Sequence, residues 1–121
     1  MSAADLQIRE RAIGDVAVLD VIGRMVLSER ASDALFRETI ADLLSIGRCQ
    51  VIINLSQVTQ VDTSGITALV TAHLTTSKRG GALKLVSPTR RLRDLLGITR
   101  LNTLFEVFDG EDAAIASFRN S

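Results

Sequence analysis

The stretch that decides the fold reads Val61-Asp62-Thr63-Ser64-Gly65-Ile66. Before it lies a short apolar run, Cys49 to Leu55, which is typical of a strand covered on both of its faces. After it, apolar residues recur at helical spacing from Ile66 to Leu74. The stretch therefore predicts the turn between a buried strand and a helix, with one carboxylate and two hydroxyls where the helix begins.

Ser64 in that turn has two interpretations. A helix N-terminus has unpaired N–H groups and the positive end of the helix dipole, so it tolerates an added phosphate, and Ser64 is a candidate phosphorylation site. The structural alternative makes Asp62 the N-cap, which accepts the N–H of Ser64 or Gly65 and leaves Ser64 as a polar first-turn residue. Because caps are far commoner than phosphorylation sites, the turn taken alone favours the structural alternative.

The neighbours of Ser64 have candidate roles of their own. We expect Asp62 to be a cap first and to orient Ser64 for a kinase second. Thr63 is an alternative cap or acceptor, although its branched side chain restricts it. Gly65 lacks a side chain near the hydroxyl, which allows an enzyme to approach; tolerance of glycine at a helix start is the simpler explanation. Asn54, at the end of the preceding strand, is expected to support the following loop through side-chain hydrogen bonds.

The composition is that of an ordinary folded protein. The chain has 121 residues, 46% of them hydrophobic and 23% charged, so we expect a single domain over residues 1–121. Fourteen basic residues balance fourteen acidic ones, whereas strong non-specific binding to nucleic acid usually needs a basic excess. Aromatic residues make up 3% of the chain, too few for a surface that stacks on bases. We therefore expect no nucleic-acid partner.

The sequence also predicts a soluble cytoplasmic protein. No apolar run approaches the length of a membrane span, so we expect no membrane insertion. Met1 to Asp5 leads directly into a strand pattern, which does not fit a signal peptide. Cys49 is the only cysteine, which excludes an internal disulfide, favours a reducing compartment and is most simply explained as inert packing.

The rest of the chain divides into alternating strands and helices without repeats or linkers. We expect strands over Leu6–Ile13, Val16–Ile22, Gln50–Leu55, Ala82–Val86 and Leu104–Phe108. We expect helices from Ser28 to about Ile46, from about Thr63 to Arg79, from Pro88 to Gly97 and after Asp109-Gly110. The order β-β-α-β-α-β-α-β-α predicts a single α/β domain, with a mixed central sheet of about five strands and about four helices.

Turn and capping residues set the predicted ends of these elements. Glycines are expected to close the second strand and the first three helices at Gly23, Gly47, Gly80-Gly81 and Gly97. Ser28 and Ser87 are the expected N-caps of the first and third helices, with Pro88 in the first turn of the third. Between the third strand and the second helix, Ser56 to Val61 is expected to form a loop.

The sequence gives little support to catalytic or metal chemistry. His73 is the only histidine, and it follows Ser64 by nine residues, or about 13 Å of helical rise, too far for a nucleophile and its base. A core or boundary position is the simpler explanation for His73. No Walker-type loop and no Cys/His cluster occurs. An enzyme using Ser64 or Thr63 as a nucleophile would lack its base, so we expect no enzymatic activity, no cofactor and no metal.

A basic cluster lies near the predicted third helix. It consists of Arg90, Arg91 and Arg93, with Arg100 beyond. A solvated helix face is the ordinary explanation for such a cluster, and contact with an acidic partner is the alternative.

Four segments of the sequence together resemble a STAS domain. They are Val51-Ile52-Ile53-Asn54-Leu55, Val61-Asp62-Thr63-Ser64-Gly65-Ile66, Gly80-Gly81-Ala82-Leu83-Lys84-Leu85-Val86, and the set Leu92, Leu95, Leu96 and Gly97. The D-[ST]-S-G string alone would be weak, but its combination with the strands on either side is strong. More narrowly, the chain resembles the bacterial anti-sigma factor antagonists, and the resemblance covers nearly the whole chain.

The resemblance implies a regulatory switch. Such antagonists bind an anti-sigma factor with serine kinase activity and thereby release a sigma factor for transcription. The kinase phosphorylates the serine of the D-[ST]-S-G motif, the antagonist dissociates, and a serine phosphatase resets it. By position the acceptor here is Ser64, and Asp62, Thr63, Ser64 and Gly65 form the motif and the expected partner interface. The resemblance also admits a STAS scaffold or accessory subunit of a stress-sensing assembly or a membrane lipid-transport complex.

Overall fold

The computed structural model describes residues 5–119, and its elements follow the predicted order. The strands are β1 (Leu6–Ile13), β2 (Val16–Met25), β3 (Gln50–Val61), β4 (Ala82–Val86) and β5 (Val107–Phe108). The helices are α1 (Arg30–Ser45), α2 (Thr63–Lys78), α3 (Arg90–Ile98) and α4 (Glu111–Arg119). The predicted domain limits at residues 1 and 121, and the expectation for the chain start at Met1, lie outside the described residues.

The strands form one mixed sheet in the order β1-β2-β3-β4-β5. Strand β1 pairs with β2 as an antiparallel hairpin, and β2, β3, β4 and β5 run parallel to one another. The predicted α/β class with a five-stranded mixed sheet is therefore confirmed. Met25 and Val61, the last residues of β2 and β3, are register partners. The connections that lead into α1 and α2 consequently start side by side, at the carboxyl ends of these two strands.

Hydrophobic clusters cover both faces of the sheet. The larger lies between the sheet and α1, α2 and α3, and it includes Leu19, Val21, Phe36, Ile40, Val51, Ile53, Leu69, Leu92 and Leu96. The smaller lies under α4 and consists of Val16, Val18, Ile52, Val86, Ala114, Ile115 and Phe118. Because successive side chains of a strand point to opposite faces, neighbouring Ile52 and Ile53 belong to different clusters. This explains why the middle of β3 is a continuous apolar run.

Two strands are longer than the sequence predicted. Strand β2 does not end at Gly23 but continues to Met25. Gly23 has a φ of 99°, and a Cβ there would collide with the backbone carbonyl of Asp5, so glycine permits a close approach inside the strand rather than a stop.

The predicted loop from Ser56 to Val61 is also wrong, because this segment is the second half of β3. It pairs with the end of β2 through register shifts on either side of the Ile22 and Gly23 pairs. Val58 is buried between exposed polar neighbours, which is the alternation of a half-buried strand rather than the continuous apolar run that marked the first half.

The predicted serine caps are wrong. Helix α1 has Glu29 as its N-cap residue, without a side-chain cap bond, and Ser28 precedes it. Helix α3 is capped by Thr89, whose hydroxyl accepts the N–H of Leu92 at 3.4 Å. Ser87 instead has a φ of 51° and donates its hydroxyl to the carbonyl of Asp109 at 2.6 Å, so it ties two turns together and Pro88 lies before the helix.

Other boundaries differ by a few residues. Gly97 does not end α3, which continues through Ile98. The predicted strand Leu104–Phe108 is reduced to its last two residues, because Leu101–Thr103 forms a 3₁₀ turn and Phe105 packs into the larger cluster.

On α2 the buried stripe runs through Ile66, Leu69, Ala72 and Thr76, whereas Leu74 is 48% exposed. The predicted starts of α2 and of α4, which follow Asp62 and Gly110, are confirmed.

Candidate functional site

Asp62 caps α2 as predicted, and it also binds the connection that leads into α1. Its Oδ1 accepts the N–H of Gly65 at 2.8 Å, which is the expected cap bond. The same oxygen accepts the N–H of Leu27 at 3.0 Å, and Oδ2 accepts the N–H of Ser28 at 3.1 Å. One carboxylate therefore holds the start of α2 against the segment between β2 and α1. Sequence reasoning missed this clamp, because its partners lie 34 and 35 residues away.

The hydrogen bonds keep Asp62 ionised. Partial burial by itself raises the pKa of this carboxyl, but the donors from Gly65, Ser28 and Leu27 outweigh it and hold the pKa below its ordinary value. The turn therefore has a fixed negative charge directly before Thr63 and Ser64.

Gly65 is required by packing rather than by local backbone freedom. Its Cα is buried on the first turn of α2, and a Cβ there would lie 2.6 Å from the carbonyl oxygen of Met25 and 2.9 Å from Cγ2 of Val61. The turn thus sits directly on the paired ends of β2 and β3. In the sequence, the only signal for this contact is the glycine itself.

Thr63 and Ser64 face solvent on the first turn of α2. The carbonyl of Thr63 accepts the hydroxyl of Thr67 at 3.0 Å. Within residues 5–119, the hydroxyl of Ser64 has no hydrogen-bond partner. Both residues also line the mouth of a groove between α1 and α2. In this turn, therefore, the carboxylate of Asp62 is directed into the protein, whereas the hydroxyl of Ser64 faces solvent.

Asn54 does not belong to this turn, and its predicted position at the end of a strand is wrong. It lies in the middle of β3, two residues after Ile52, on the face of the sheet that α4 covers. Its Nδ2 donates to Oδ1 of Asp20 at 2.9 Å, and its Oδ1 accepts the N–H of Ser56 at 3.1 Å. The predicted side-chain bond to the segment that follows therefore exists, but it supports a strand instead of a loop.

The partner of Asn54 belongs to an ionic cluster beneath α4. Arg11 binds Asp20 through two hydrogen bonds, at 2.7 and 2.8 Å, and reaches Glu111 at 2.5 Å. The hydrogen bonds from Arg11 hold the pKa of the buried Asp20 carboxyl below its ordinary value. This cluster joins the opening hairpin to the first turn of α4, so we interpret it as structural.

The other residues singled out from the sequence are dispersed. His73 is half-buried and packs edge-on against Phe105, with ring centroids 5.3 Å apart, which fits the predicted boundary position. Cys49 is half-buried, and its carbonyl accepts the N–H of Ala82 at 2.9 Å. The arginines of the basic cluster are exposed, and Arg93 pairs with Asp109 at 3.0 Å. Within residues 5–119, no group of three or more His, Cys, Asp and Glu side chains is placed to hold a metal ion.

Comparisons with known proteins agree with this fold. The family model described as the STAS domain matches residues 7–114. An anti-sigma factor antagonist from Mycobacterium paratuberculosis has a similar structure, with a TM-score of 0.82 and 20% identity over 98% of this chain and 99% of that one. The Bacillus cell fate determinant SpoIIAA in its phosphorylated form has a TM-score of 0.71 and 17% identity over 93% and 98%. Comparison with the sequences of curated proteins gave no match.

The same fold also occurs inside a membrane transporter. The murine anion transporter Slc26a9 matches 92% of this chain with 18% identity and a TM-score of 0.75, but the match covers only 19% of the transporter. In the part of this chain that the structure describes, no helix is long and apolar enough to cross a membrane. At these identities the structural neighbours establish a shared fold.

Proposed function

The chain belongs to the STAS domain family, and we propose that it is an anti-sigma factor antagonist whose partner binding is switched off by phosphate on Ser64. Its partner would be an anti-sigma factor with serine kinase activity, and a serine phosphatase would reset it. In this proposal the protein regulates transcription in the bacterial cytoplasm by partner switching and has no enzymatic activity of its own. The exposed hydroxyl of Ser64, on a turn that Asp62 holds in place, is the observation that carries the proposal.

The electrostatics of the turn favour a switch that acts on binding rather than on folding. A phosphate adds about −1.5 to −2 charges at neutral pH. The start of α2 offers about 0.3–1 kcal/mol of dipole attraction to it, which offsets part of the repulsion from Asp62. The oxygens of Asp62 already accept the N–H groups of Gly65, Leu27 and Ser28, so the phosphate does not need to replace the cap. The folded state should therefore tolerate the modification while a partner surface is repelled.

The proposal is tested by incubating the protein with ATP, magnesium and each kinase-type anti-sigma factor encoded in the same genome. Intact mass and peptide mapping should find one phosphate on Ser64, and the complex should dissociate as the phosphate accumulates. Ser64→Ala should bind the kinase without being modified, and Thr63→Ala, the matched control one residue earlier, should still be modified. Phosphate on Thr63 alone, or on neither residue, would contradict the assignment.

The similarity to part of Slc26a9 supports a second candidate, a STAS scaffold or accessory subunit. Such a subunit would bind a stress-sensing or membrane lipid-transport assembly without being modified at Ser64. Absence of both binding and phosphorylation with every kinase-type anti-sigma factor would favour this candidate.

A further inference from the structure

A groove of about 420 Å³ runs between α1 and α2. Its floor is apolar, formed by Leu27, Phe36, Ile40 and Leu44, each of which is at least nine-tenths buried. One end of the α2 wall is Ser64, so the candidate phosphorylation site is part of this groove. Whatever occupies the groove would sense a change at Ser64 directly.

The wall that α2 contributes carries no charge. A surface helix normally exposes charged residues on its outer face, but no Asp, Glu, Lys or Arg occurs between Thr63 and Ser77. The exposed residues of α2 that line the groove are hydroxyl residues on consecutive turns: Thr63, Ser64, Thr67, Thr71 and Thr75. The centres of protein interfaces are depleted in charged side chains in the same way.

Two of the five hydroxyls on this wall are already hydrogen-bonded within α2. The hydroxyls of Thr67 and Thr75 already donate to the carbonyls of Thr63 and Thr71, at 3.0 and 2.8 Å. A partner that covers them removes few unsatisfied donors from water, because their hydrogen bonds are made inside the helix. Their methyl groups add apolar surface to the contact.

The opposite wall is electrically balanced. Among the described residues that line the groove, Asp33 and Arg37 are the charged ones, both on α1, and Arg37 Nε lies 3.0 Å from Asp33 Oδ1. With that pair neutralised, the groove is complementary to an uncharged surface. An occupant with a charged contact face would have to desolvate that charge without a counter-ion.

From these features we infer that the anti-sigma factor docks an amphipathic helix in the groove, with an uncharged face of small and aliphatic residues against α2. This inference rests on the proposed function. Two helices that form a groove accept a third by packing its ridges between them, with anchors at i, i+4 and i+7. The distance from Ser64 to Thr75 is about 16 Å of helical rise, or three turns, which matches such a segment.

The docking mode gives the switch a direct mechanism. Phosphate on Ser64 would place about −1.5 to −2 charges at the end of an otherwise neutral groove. The incoming apolar face would then have to strip water from an unpaired dianion, which is a large cost. Binding is lost through this local block, and no rearrangement of the antagonist is required.

The test uses two arginine substitutions on the exposed side of α2. Thr71→Arg places a charge in the middle of the groove wall, whereas Ser77→Arg, the matched control, lies on the same helix outside the groove. Affinity for the kinase-type anti-sigma factor is measured by calorimetry with ADP, so that no phosphate is transferred. We expect Thr71→Arg to weaken binding about tenfold or more, and Ser77→Arg and the isosteric Thr71→Val to stay within about twofold. Melting curves of all three variants should match the wild type.

The outcomes separate the inference from the proposed function. If Thr71→Arg binds like the wild type while Ser64→Asp does not bind, the groove is not the docking site and the proposed function stands. If Ser77→Arg weakens binding as much as Thr71→Arg, the contact is not confined to the groove and the inference is wrong. If the wild type binds no kinase-type anti-sigma factor, both proposals fail.

Discussion

Replacing Asp62 by alanine tests the clamp at the start of α2. The substitution removes the acceptor for three backbone N–H groups, those of Gly65, Leu27 and Ser28, at distances of 2.8, 3.0 and 3.1 Å. These groups belong to two chain segments that the carboxylate holds together. The loss should therefore exceed that of an ordinary helix cap.

The magnitude follows from the three bonds. Loss of an N-cap costs about 1 kcal/mol of unfolding free energy. Leu27 is 4% exposed, so its N–H would be left without water, at a cost of about 1–3 kcal/mol. Ser28 is exposed, and water can replace its bond at little cost. We expect Asp62→Ala to lower the unfolding free energy by about 2–4 kcal/mol, and the Tm of a domain of this size by about 10 °C.

Urea unfolding followed by far-ultraviolet circular dichroism measures this loss. The chain has no tryptophan and no tyrosine, so intrinsic fluorescence is a poor probe. Asp109→Ala is the control, because Asp109 is an almost fully exposed aspartate whose ion pair with Arg93 should contribute little. The clamp would be refuted if Asp62→Ala unfolded at the same urea concentration as Asp109→Ala.

Three further predictions concern the same structure. The folded-state pKa of Asp62 lies below its ordinary value of 3.8. The ionised carboxylate therefore stabilises the fold above that pH, and this stabilisation is lost as the pH falls through the folded pKa. The difference in urea midpoint between the wild type and Asp62→Asn should shrink below about pH 4. Gly65→Ala should destabilise the protein by about 1–3 kcal/mol, because its Cβ would clash with the backbone carbonyl of Met25. Gly97→Ala should stabilise it by about 0.5–1 kcal/mol in the same urea titration, because the space around this position of α3 is open. Arg11→Ala should lower the thermal midpoint, since it leaves the buried Asp20 carboxylate without its cation. Adding Asp20→Ala to this variant should recover part of the loss. A double variant no more stable than Arg11→Ala would contradict this reasoning.

Local signals account for what the sequence predicted well. The start of α2 was predictable because Asp62 caps a nearby N–H, three residues along the chain. Gly14-Asp15, between β1 and β2, is a local turn signal, and Gly14 has a φ of 60°. The continuous apolar run around Ile52 and Ile53 predicted a strand buried on both faces. Each of these features is decided by residues close together in the sequence.

Long-range contacts explain what the sequence did not reveal. The second half of β3 is polar on one side and becomes a strand because β2 continues beside it to Met25. Asn54 bonds Asp20 across 34 residues, so its position on the α4 side could not be read from its neighbours. Ser87 has the local pattern of an N-cap, but its hydroxyl donates to the backbone carbonyl of Asp109, and Thr89 is the N-cap instead. In each case a partner distant in sequence decides between two local options.

Under the proposed function, the turn before α2 assigns the stability of the fold and the regulation of binding to different residues. Asp62 is directed inward, and its three backbone bonds hold the start of α2 against the segment between β2 and α1. Ser64, two residues later, faces solvent and the groove, and its hydroxyl makes no hydrogen bond within residues 5–119. Substitutions at Asp62 should therefore change the unfolding free energy, while substitutions at Ser64 should change partner affinity at constant stability. Under the proposed function, a phosphate on Ser64 would act as a reversible signal because the hydroxyl that it modifies makes no bond that the fold needs.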